Sequence, residues 1–232
     1  VHAFGRFGEA GQTLRSVTYT STLALAPGTQ IENARGSAFD DLLTGNSLDN
    51  QLDGGPGTDT AMLACALADC RITSTGSSVR VVGPEGRDIL TGVERLVFTD
   101  TRLAFDLDAA AGQAARLVGA LHGAAALHDA SLVGRALGLL DAGADPLALA
   151  QAMLEGLPQG PLAPAALVTE LYQHVVGHAP APRELAVYTS ALTSGQYSPA
   201  SLLVHATQCE ANRVAIDLTG LAQTGLAYLL PG

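Results

Sequence analysis

The chain has 232 residues, 47% of them hydrophobic, which excludes general disorder and suffices for two modest domains or one large one. Its net charge is −10 and all its basic residues are arginines, so we expect neither nucleic acid nor an anionic membrane surface as a partner. No apolar stretch is long enough to span a bilayer. Acidic residues are concentrated between Gly36 and Asp59, a segment with five aspartates and no basic residue. The carboxylates of such a segment are suitable ligands for divalent cations.

The beginning of the chain predicts β-structure. Val17–Leu25 alternates between apolar and polar residues and is rich in β-branched side chains, which indicates a strand. Pro27–Arg35 is in phase with the repeats that follow, with Ala34 at an inward position and Glu32 at an acidic one. Because the first residue is Val1 and no signal peptide is present, we expect a mature product or an excised piece of a longer protein.

Three nine-residue blocks then follow in unbroken register: GSAFDDLLT, GNSLDNQLD and GGPGTDTAM. Each block begins with glycine, carries Asp or Asn at its sixth place and has an apolar residue at its eighth. The residues at these places are Gly36, Gly45 and Gly54, then Asp41, Asn50 and Asp59, then Leu43, Leu52 and Ala61. This spacing is that of the Gly-Gly-x-Gly-x-Asp-x-apolar-x repeat, which winds into a parallel β-helix and binds calcium in its turns.

The chemistry of the repeat explains the prediction. Glycine allows the tight turns, and the acidic position supplies the hard oxygen ligands that Ca²⁺ prefers. A fourth, degenerate block, GPEGRDILT, covers Gly83–Thr91 and has Asp88 in the expected place. We therefore expect calcium as the cofactor. The predicted calcium-site residues are Asp41, Asp59, Asn50, Asp88, Gly36, Gly45, Gly54 and Gly57.

The fourth block begins 29 residues after Gly54, two more than three whole repeats. This offset predicts an excursion, a hairpin or a bulged strand pair, around Ala64–Arg80. Further strands are indicated at Ser78–Val82 and Glu94–Thr99. Within the excursion, Cys65 and Cys70 are compatible either with a local disulfide or with two small buried side chains.

From about Asp108 the sequence becomes rich in Ala, Leu and Gly, with apolar residues at helical spacing. Proline at three helix starts, preceded in two cases by a capping Asp145 or Ser198, supports the assignment. The predicted helices are Ala109–His122, Ala130–Leu140, Pro146–Leu154, Pro164–Val176, Arg183–Leu192 and one from Pro199 to Gly220 or beyond. The fold class is therefore α+β: a short parallel β-roll with flanking strands over residues 1–107, then a bundle of five or six helices over residues 108–232.

The first half resembles the RTX (repeats-in-toxin) family, including the C-terminal β-roll of serralysin-type proteases. The resemblance lies in Ile31–Ser37, Asp40–Asn46 and Asp49–Gly55. The second half resembles domain of unknown function 4214, a helical domain often found at the ends of RTX proteins. That similarity lies in Gly92–Asp100, Leu171–Gly177 and Leu192–Ser198.

The RTX resemblance implies export from a Gram-negative bacterium by type I secretion, followed by folding on extracellular calcium. It also implies that two nonapeptides form one turn of the roll. Asp41 and Asp59 would then share an ion on one side, while Glu32 and Asn50 would face each other on the other side, with Asp88 in a neighbouring turn.

We therefore expect a calcium-binding, non-enzymatic C-terminal module of a secreted or cell-surface protein, adhesin-like or S-layer-like, with self-association or a cell-surface component as partner. The alternative is the C-terminal support of a secreted hydrolase, such as a serralysin-like metalloprotease, whose catalytic domain lies upstream. His174 and His178 have the spacing of two zinc ligands on a helix, but no glutamate lies between them, so helix-end histidines are the favoured interpretation.

Overall fold

The computed structural model describes residues 13–15, 22–24 and 32–230, with side chains from residue 32 onward. Most of the strand predicted over Val17–Leu25, and the start of Pro27–Arg35, lie outside the described residues. The described part has the α+β class that the sequence predicts. Its strands are short, mostly of three residues: β1 Thr13–Arg15, β2 Thr22–Ala24, β3 Asn33–Arg35, β4 Leu42–Thr44, β5 Gln51–Asp53, β6 Thr60–Met62, β7 Arg71–Ser74, β8 Ser78–Gly83, β9 Gly86–Thr91, β10 Arg95–Val97, β11 Arg102–Ala104 and β12 Leu226–Tyr228.

Successive repeat strands alternate between two sheets, as in a parallel β-roll. Strands β1, β3, β5 and β9 pair in parallel in the first sheet, and strands β2, β4, β6 and β10 do so in the second. Each nonapeptide therefore contributes one strand and one turn, and two nonapeptides complete one coil.

The apolar place of the repeat lies between the sheets, as predicted. Leu43, Leu52 and Ala61 are at most 2% exposed, and Ala34 upstream is also buried. Leu90 of the degenerate block pairs with Leu52 and continues the same row. Burial of this row fixes the register, because a slip of one residue would turn every leucine toward solvent.

The predicted excursion is an antiparallel hairpin. Strand β7 pairs with β8, and β8 pairs in turn with β9, which returns the chain to the roll. A disulfide joins Cys65 to Cys70 at the start of the excursion, so the first of the two interpretations of these cysteines is correct.

Eight α-helices lie in the described residues. They are α1 Ala110–His122, α2 Ala130–Asp141, α3 Pro146–Glu155, α4 Pro164–Val175, α5 Pro182–Thr193, α6 Pro199–Thr207, α7 Glu210–Ala215 and α8 Leu218–Thr224. The first five begin and end within one residue of the predicted bounds. Asp145 and Ser198 cap α3 and α6 as predicted, through hydrogen bonds to the main-chain N–H groups of Ala148 and Ser201.

The single long helix predicted from Pro199 is wrong, because three short helices and strand β12 occupy that segment. Cys209 is extended (φ −71°, ψ 141°) and ends the first of them. Asp217 has a left-handed backbone (φ +47°) and accepts a hydrogen bond from the N–H of Gly220, which starts α8. Periodicity alone does not reveal these breaks, because neither one is marked by proline.

The chain forms two compact units. The first runs to Phe105 and includes Ala222–Gly225, while the second comprises Asp106–Leu221 and the residues from Leu226 onward. The sequence places the boundary two residues later, between residues 107 and 108. No helix of the described residues has the length and hydrophobicity needed to cross a membrane.

Candidate metal centre

Two rows of polar residues run along the roll, one on each side. On the first side, Asp41, Asp59 and Glu94 each precede a strand of the second sheet. Because β4, β6 and β10 are paired in parallel and in register, these three residues follow one another from coil to coil. We call Asp41, Asp59 and Glu94 the carboxylate stack.

Hydrogen bonds tie the carboxylate stack together. The main-chain N–H of Asp41 donates to Oδ1 of Asp59 (2.7 Å), and the N–H of Asp59 donates to Oε2 of Glu94 (2.8 Å). Within the first turn, the N–H and hydroxyl groups of Ser37 both donate to Oδ2 of Asp41 (2.5 and 2.9 Å). Each carboxylate therefore has one oxygen held by the protein, which leaves the other to be accounted for.

The remaining oxygens of two of these carboxylates are buried without a hydrogen-bond donor. Asp41 is 4% exposed and Asp59 is fully buried. Neither Oδ1 of Asp41 nor Oδ2 of Asp59 has a partner among the described residues. A buried carboxylate oxygen without a donor is costly, and a bound cation is one way to remove that cost.

The electrostatic environment of Asp59 agrees with this geometry. Burial, together with the nearby charges of Glu94, Asp41 and Asp40, raises the pKa of its carboxyl from 3.8 to about 6, against the lowering effect of the hydrogen bond from the Asp41 N–H. The site therefore resists negative charge in the absence of a cation.

Main-chain carbonyl groups approach the same carboxylates. A methyl group at Gly36 would overlap the carbonyl oxygen of Gly54 and Oδ2 of Asp41. A methyl group at Gly54 would likewise overlap the carbonyl oxygen of Gly92 and Oδ2 of Asp59. Glycine is thus required at both places by close packing between coils, and the packing brings carbonyl oxygens beside carboxylate oxygens.

The second side of the roll carries a different row. The strand pairing places Glu32, Asn50 and Asp88 at equivalent positions. Oδ1 of Asp88 accepts hydrogen bonds from the main-chain N–H (3.0 Å) and from the side-chain amide (3.1 Å) of Asn50. Burial, together with the charges of Glu85 and Asp49, raises the pKa of Asp88 to about 6 despite these two bonds. The side-chain amide of Asn50 thus supplies a donor that has no equivalent in the carboxylate stack.

The turns of the three blocks are built in two ways. Gly57 has a left-handed backbone (φ +143°) and packs on the main chain of Phe39. Phe39 and Leu48 stand where Gly57 stands in its block, and their N–H groups bond to Oγ of Ser37 and Oδ1 of Asn46. These side-chain turns replace the glycine-dependent turn.

The other turn glycine, Gly45, lies against the side chain of Asn50, where an added methyl group would come within 3.1 Å of Cγ. That side chain is also held within its own turn, where its amide donates to the carbonyl oxygens of Asn46 and Leu48. Gly45 thus packs against an amide that is already hydrogen-bonded to its own turn.

Sequence reasoning missed Glu94. The step from Gly54 to Asp59 is five residues, whereas Glu94 follows Gly92 by only two. A search for fixed nine-residue spacing therefore passes over the glutamate, although the strand register aligns it with Asp59. The sequence does contain one signal that points to Glu94. Gly92 lies nine residues after Gly83, so it begins a further, shortened block.

In the part of the chain that the structure describes, no group of three or more His, Cys, Asp or Glu side chains is placed to hold a metal ion. A cation beside Asp41 and Asp59 would therefore need main-chain oxygens as well. Calcium suits such a site, because it takes six to eight oxygen ligands in flexible geometry and accepts backbone carbonyl groups.

The histidine pair is not arranged as two ligands on one helix. Helix α4 ends at Val175, so His174 lies in its last turn and His178 lies beyond it. Nδ1 of His178 is 2.8 Å from the carbonyl oxygen of its neighbour Ala179. The spacing of four residues thus does not place both rings on one helical face.

Comparison with models of known protein families found no match, and comparison with curated proteins found none either.

Proposed function

We propose that this chain is a calcium-binding, non-enzymatic module of a secreted or cell-surface protein, in which Ca²⁺ completes the folding of the roll. The observation that carries the proposal is the pair of buried oxygens without donors, Oδ1 of Asp41 and Oδ2 of Asp59. Carboxylate and carbonyl oxygens are the ligands that calcium prefers, and both kinds meet between the first and third repeat blocks.

Calcium binding of this kind is coupled to folding. Asp41 and Asp59 are 18 residues apart and come together only when successive coils stack. Without a cation, their charges and that of Glu94 oppose the stacking. A cation that binds only the stacked state therefore contributes its binding free energy to the stability of the roll.

An extracellular location fits this coupling. Calcium is low in the cytosol and abundant outside the cell, so a roll that requires it stays open until export, as the RTX resemblance implies. The disulfide between Cys65 and Cys70 supports the same proposal, since such bonds persist mainly in oxidising compartments. We propose self-association or attachment to the cell surface as the role of the module, as in an adhesin or a surface layer.

Calorimetric titration of calcium into the chelator-treated chain tests the proposal, with circular dichroism recorded on the same samples. We expect saturable heat and a gain of strand signal with Ca²⁺ but much less with Mg²⁺. Asp41→Asn and Asp59→Asn should each remove most of the response, because each loses a carboxylate while keeping its shape.

Asp69→Asn is the matched control, because Asp69 is exposed, lies outside the repeats and loses the same charge. Equal loss in all three variants would indicate a general charge effect, and no response in the unaltered chain would refute calcium binding. Sedimentation of the same samples tests assembly: a rise in mass with calcium supports it, whereas folding at constant mass favours a support domain.

A further inference from the structure

A polar cavity of about 440 Å³ lies in the helical unit. Helices α1 and α6 form most of its wall, each with residues at i, i+3 and i+4, the spacing that places side chains on one helical face. The lining residues are Gln113, Arg116 and Leu117 on α1, and Val204, Thr207 and the C-terminal cap residue Gln208 on α6. Asp108, Pro146 and Arg213 complete the lining.

The cavity concentrates positive charge in an acidic chain. Only four arginines occur from Asp106 onward, and Arg116 and Arg213 both line this cavity. In the described residues, the guanidinium group of Arg116 makes neither an ion pair nor a hydrogen bond, while that of Arg213 pairs with Glu210 at the surface (3.1 Å). Arginine is the side chain best suited to bind carboxylate or phosphate, so two arginines in the lining of one cavity favour an anionic ligand.

The remaining polar groups distinguish between these anions. The side-chain amides of Gln113 and Gln208 make no hydrogen bond within residues 32–230. The hydroxyl of Thr207 donates to the carbonyl oxygen of Val204 (2.7 Å), so its oxygen remains available as an acceptor. Asp108 adds an exposed carboxylate, which would repel a compact, highly charged anion but accepts hydrogen bonds from hydroxyl groups.

We propose that this cavity binds an acidic sugar, a hexuronate-like ring with one carboxylate and several hydroxyl groups. Arg116 and Arg213 hold the carboxylate, and the two amides and Asp108 bond to the hydroxyl groups. The half-buried apolar side chain of Val204 lies against the C–H face of the ring. The site is separate from the carboxylate stack and does not depend on calcium.

Titration of the ¹⁵N-labelled chain with sodium glucuronate, followed by amide chemical shifts, tests the proposal. Chelator is present throughout, because uronates themselves bind calcium. We expect saturable shifts at the lining residues with glucuronate and much smaller shifts with glucose, which lacks the carboxylate, and with inorganic phosphate, which lacks the ring.

Arg116→Gln should weaken glucuronate binding roughly tenfold to hundredfold, the effect of losing one charge-assisted hydrogen-bonded pair. Arg135→Gln is the matched control, because Arg135 is exposed on α2 and lies outside the cavity. The affinity of this variant for glucuronate should be unchanged. A second variant at an exposed position, Gln208→Ala, should weaken binding severalfold and keeps the test valid if Arg116→Gln fails to fold.

Three results would overturn the proposal: no saturable shift with glucuronate, an equal response to glucose, or an equal response to phosphate. An equal response to glucose would indicate a cavity that binds hydroxyl groups, and an equal response to phosphate would indicate a simple anion site. Equal weakening by Arg116→Gln and Arg135→Gln would also contradict it, since the effect would then arise from net charge alone.

Discussion

Oε2 of Glu94 accepts a 2.8 Å hydrogen bond from the main-chain N–H of Asp59, as Oδ1 of Asp59 does from Asp41. A glutamate thus continues a row of aspartates into the next coil. Its longer side chain reaches the N–H group from a turn that is three residues shorter than the turn before it. The charge of Glu94 therefore contributes to the electrostatic environment of the carboxylate stack, although Glu94 lies outside the nine-residue repeat.

Replacing Glu94 should change the titration of Asp59. Glu94→Gln keeps an oxygen that can accept the Asp59 N–H but removes one of the charges that raise the Asp59 pKa beside the larger effect of burial. We expect that pKa to fall below about 6 while burial keeps it above 3.8, as measured from the carboxyl ¹³C shift in the presence of a calcium chelator. Glu85→Gln is the control, because Glu85 acts on Asp88 instead. An Asp59 pKa that moves equally in both variants would disprove this role of Glu94.

The stability of the metal-free chain should fall as pH rises from 5 to 7.5. The folded-state pKa values of Asp59 and Asp88 are about 6, above the usual 3.8, so the folded state binds protons more tightly than the unfolded state. Their contribution is fully present below pH 4 and is lost as the pH rises through 6. For each group, the difference between a pKa of 3.8 and one of about 6 corresponds to roughly 3 kcal/mol at most.

Calcium should reverse this pH dependence, because it favours the ionised carboxylates and its binding releases protons. We therefore expect calcium to raise the thermal midpoint more at pH 7.5 than at pH 5. Thermal unfolding at both pH values, with calcium and with chelator, measures the effect. Asp59→Asn should flatten the metal-free pH dependence, and an unaltered slope in that variant would be inconsistent with this origin.

Two glycine-to-alanine substitutions should have opposite effects. In Gly54→Ala the new methyl group overlaps the carbonyl oxygen of Gly92 in the next turn and the side chain of Asp59 in its own block, so we expect a loss of about 2–4 kcal/mol in unfolding free energy. In Gly138→Ala, in the middle of α2, nothing lies within 4 Å of the added methyl group, so a gain of about 0.5–1 kcal/mol is expected. Urea unfolding of both variants measures the difference, and a tolerated Gly54→Ala would argue against the close stacking of the coils.

Thiol counting should separate the three cysteines. Cys209 is free and exposed, whereas Cys65 and Cys70 are joined. A thiol reagent should therefore detect one group in the native chain and three after reduction and unfolding. Finding three thiols in unfolded but unreduced protein would show that the disulfide does not form, and loss of the native signal in Cys209→Ser identifies the free group.

The sequence by itself determined the elements whose causes are local. The nine-residue spacing predicted the buried row of Leu43 and Leu52, because a period of two within each strand and a fixed turn length leave one register. Proline and capping residues likewise predicted where α3 and α6 begin, since a helix start depends on the few residues around it.

Only the tertiary structure decided what depends on contacts between distant residues. Glu94 lies 35 positions after Asp59 and belongs to a shortened turn. Its alignment with Asp59 therefore follows from strand pairing and not from a fixed residue spacing. The breaks at Cys209 and Asp217 are set by backbone conformations that helical periodicity does not record. The arginine-lined cavity brings together Arg116 and Arg213, nearly a hundred residues apart, because helix packing selects which polar side chains meet.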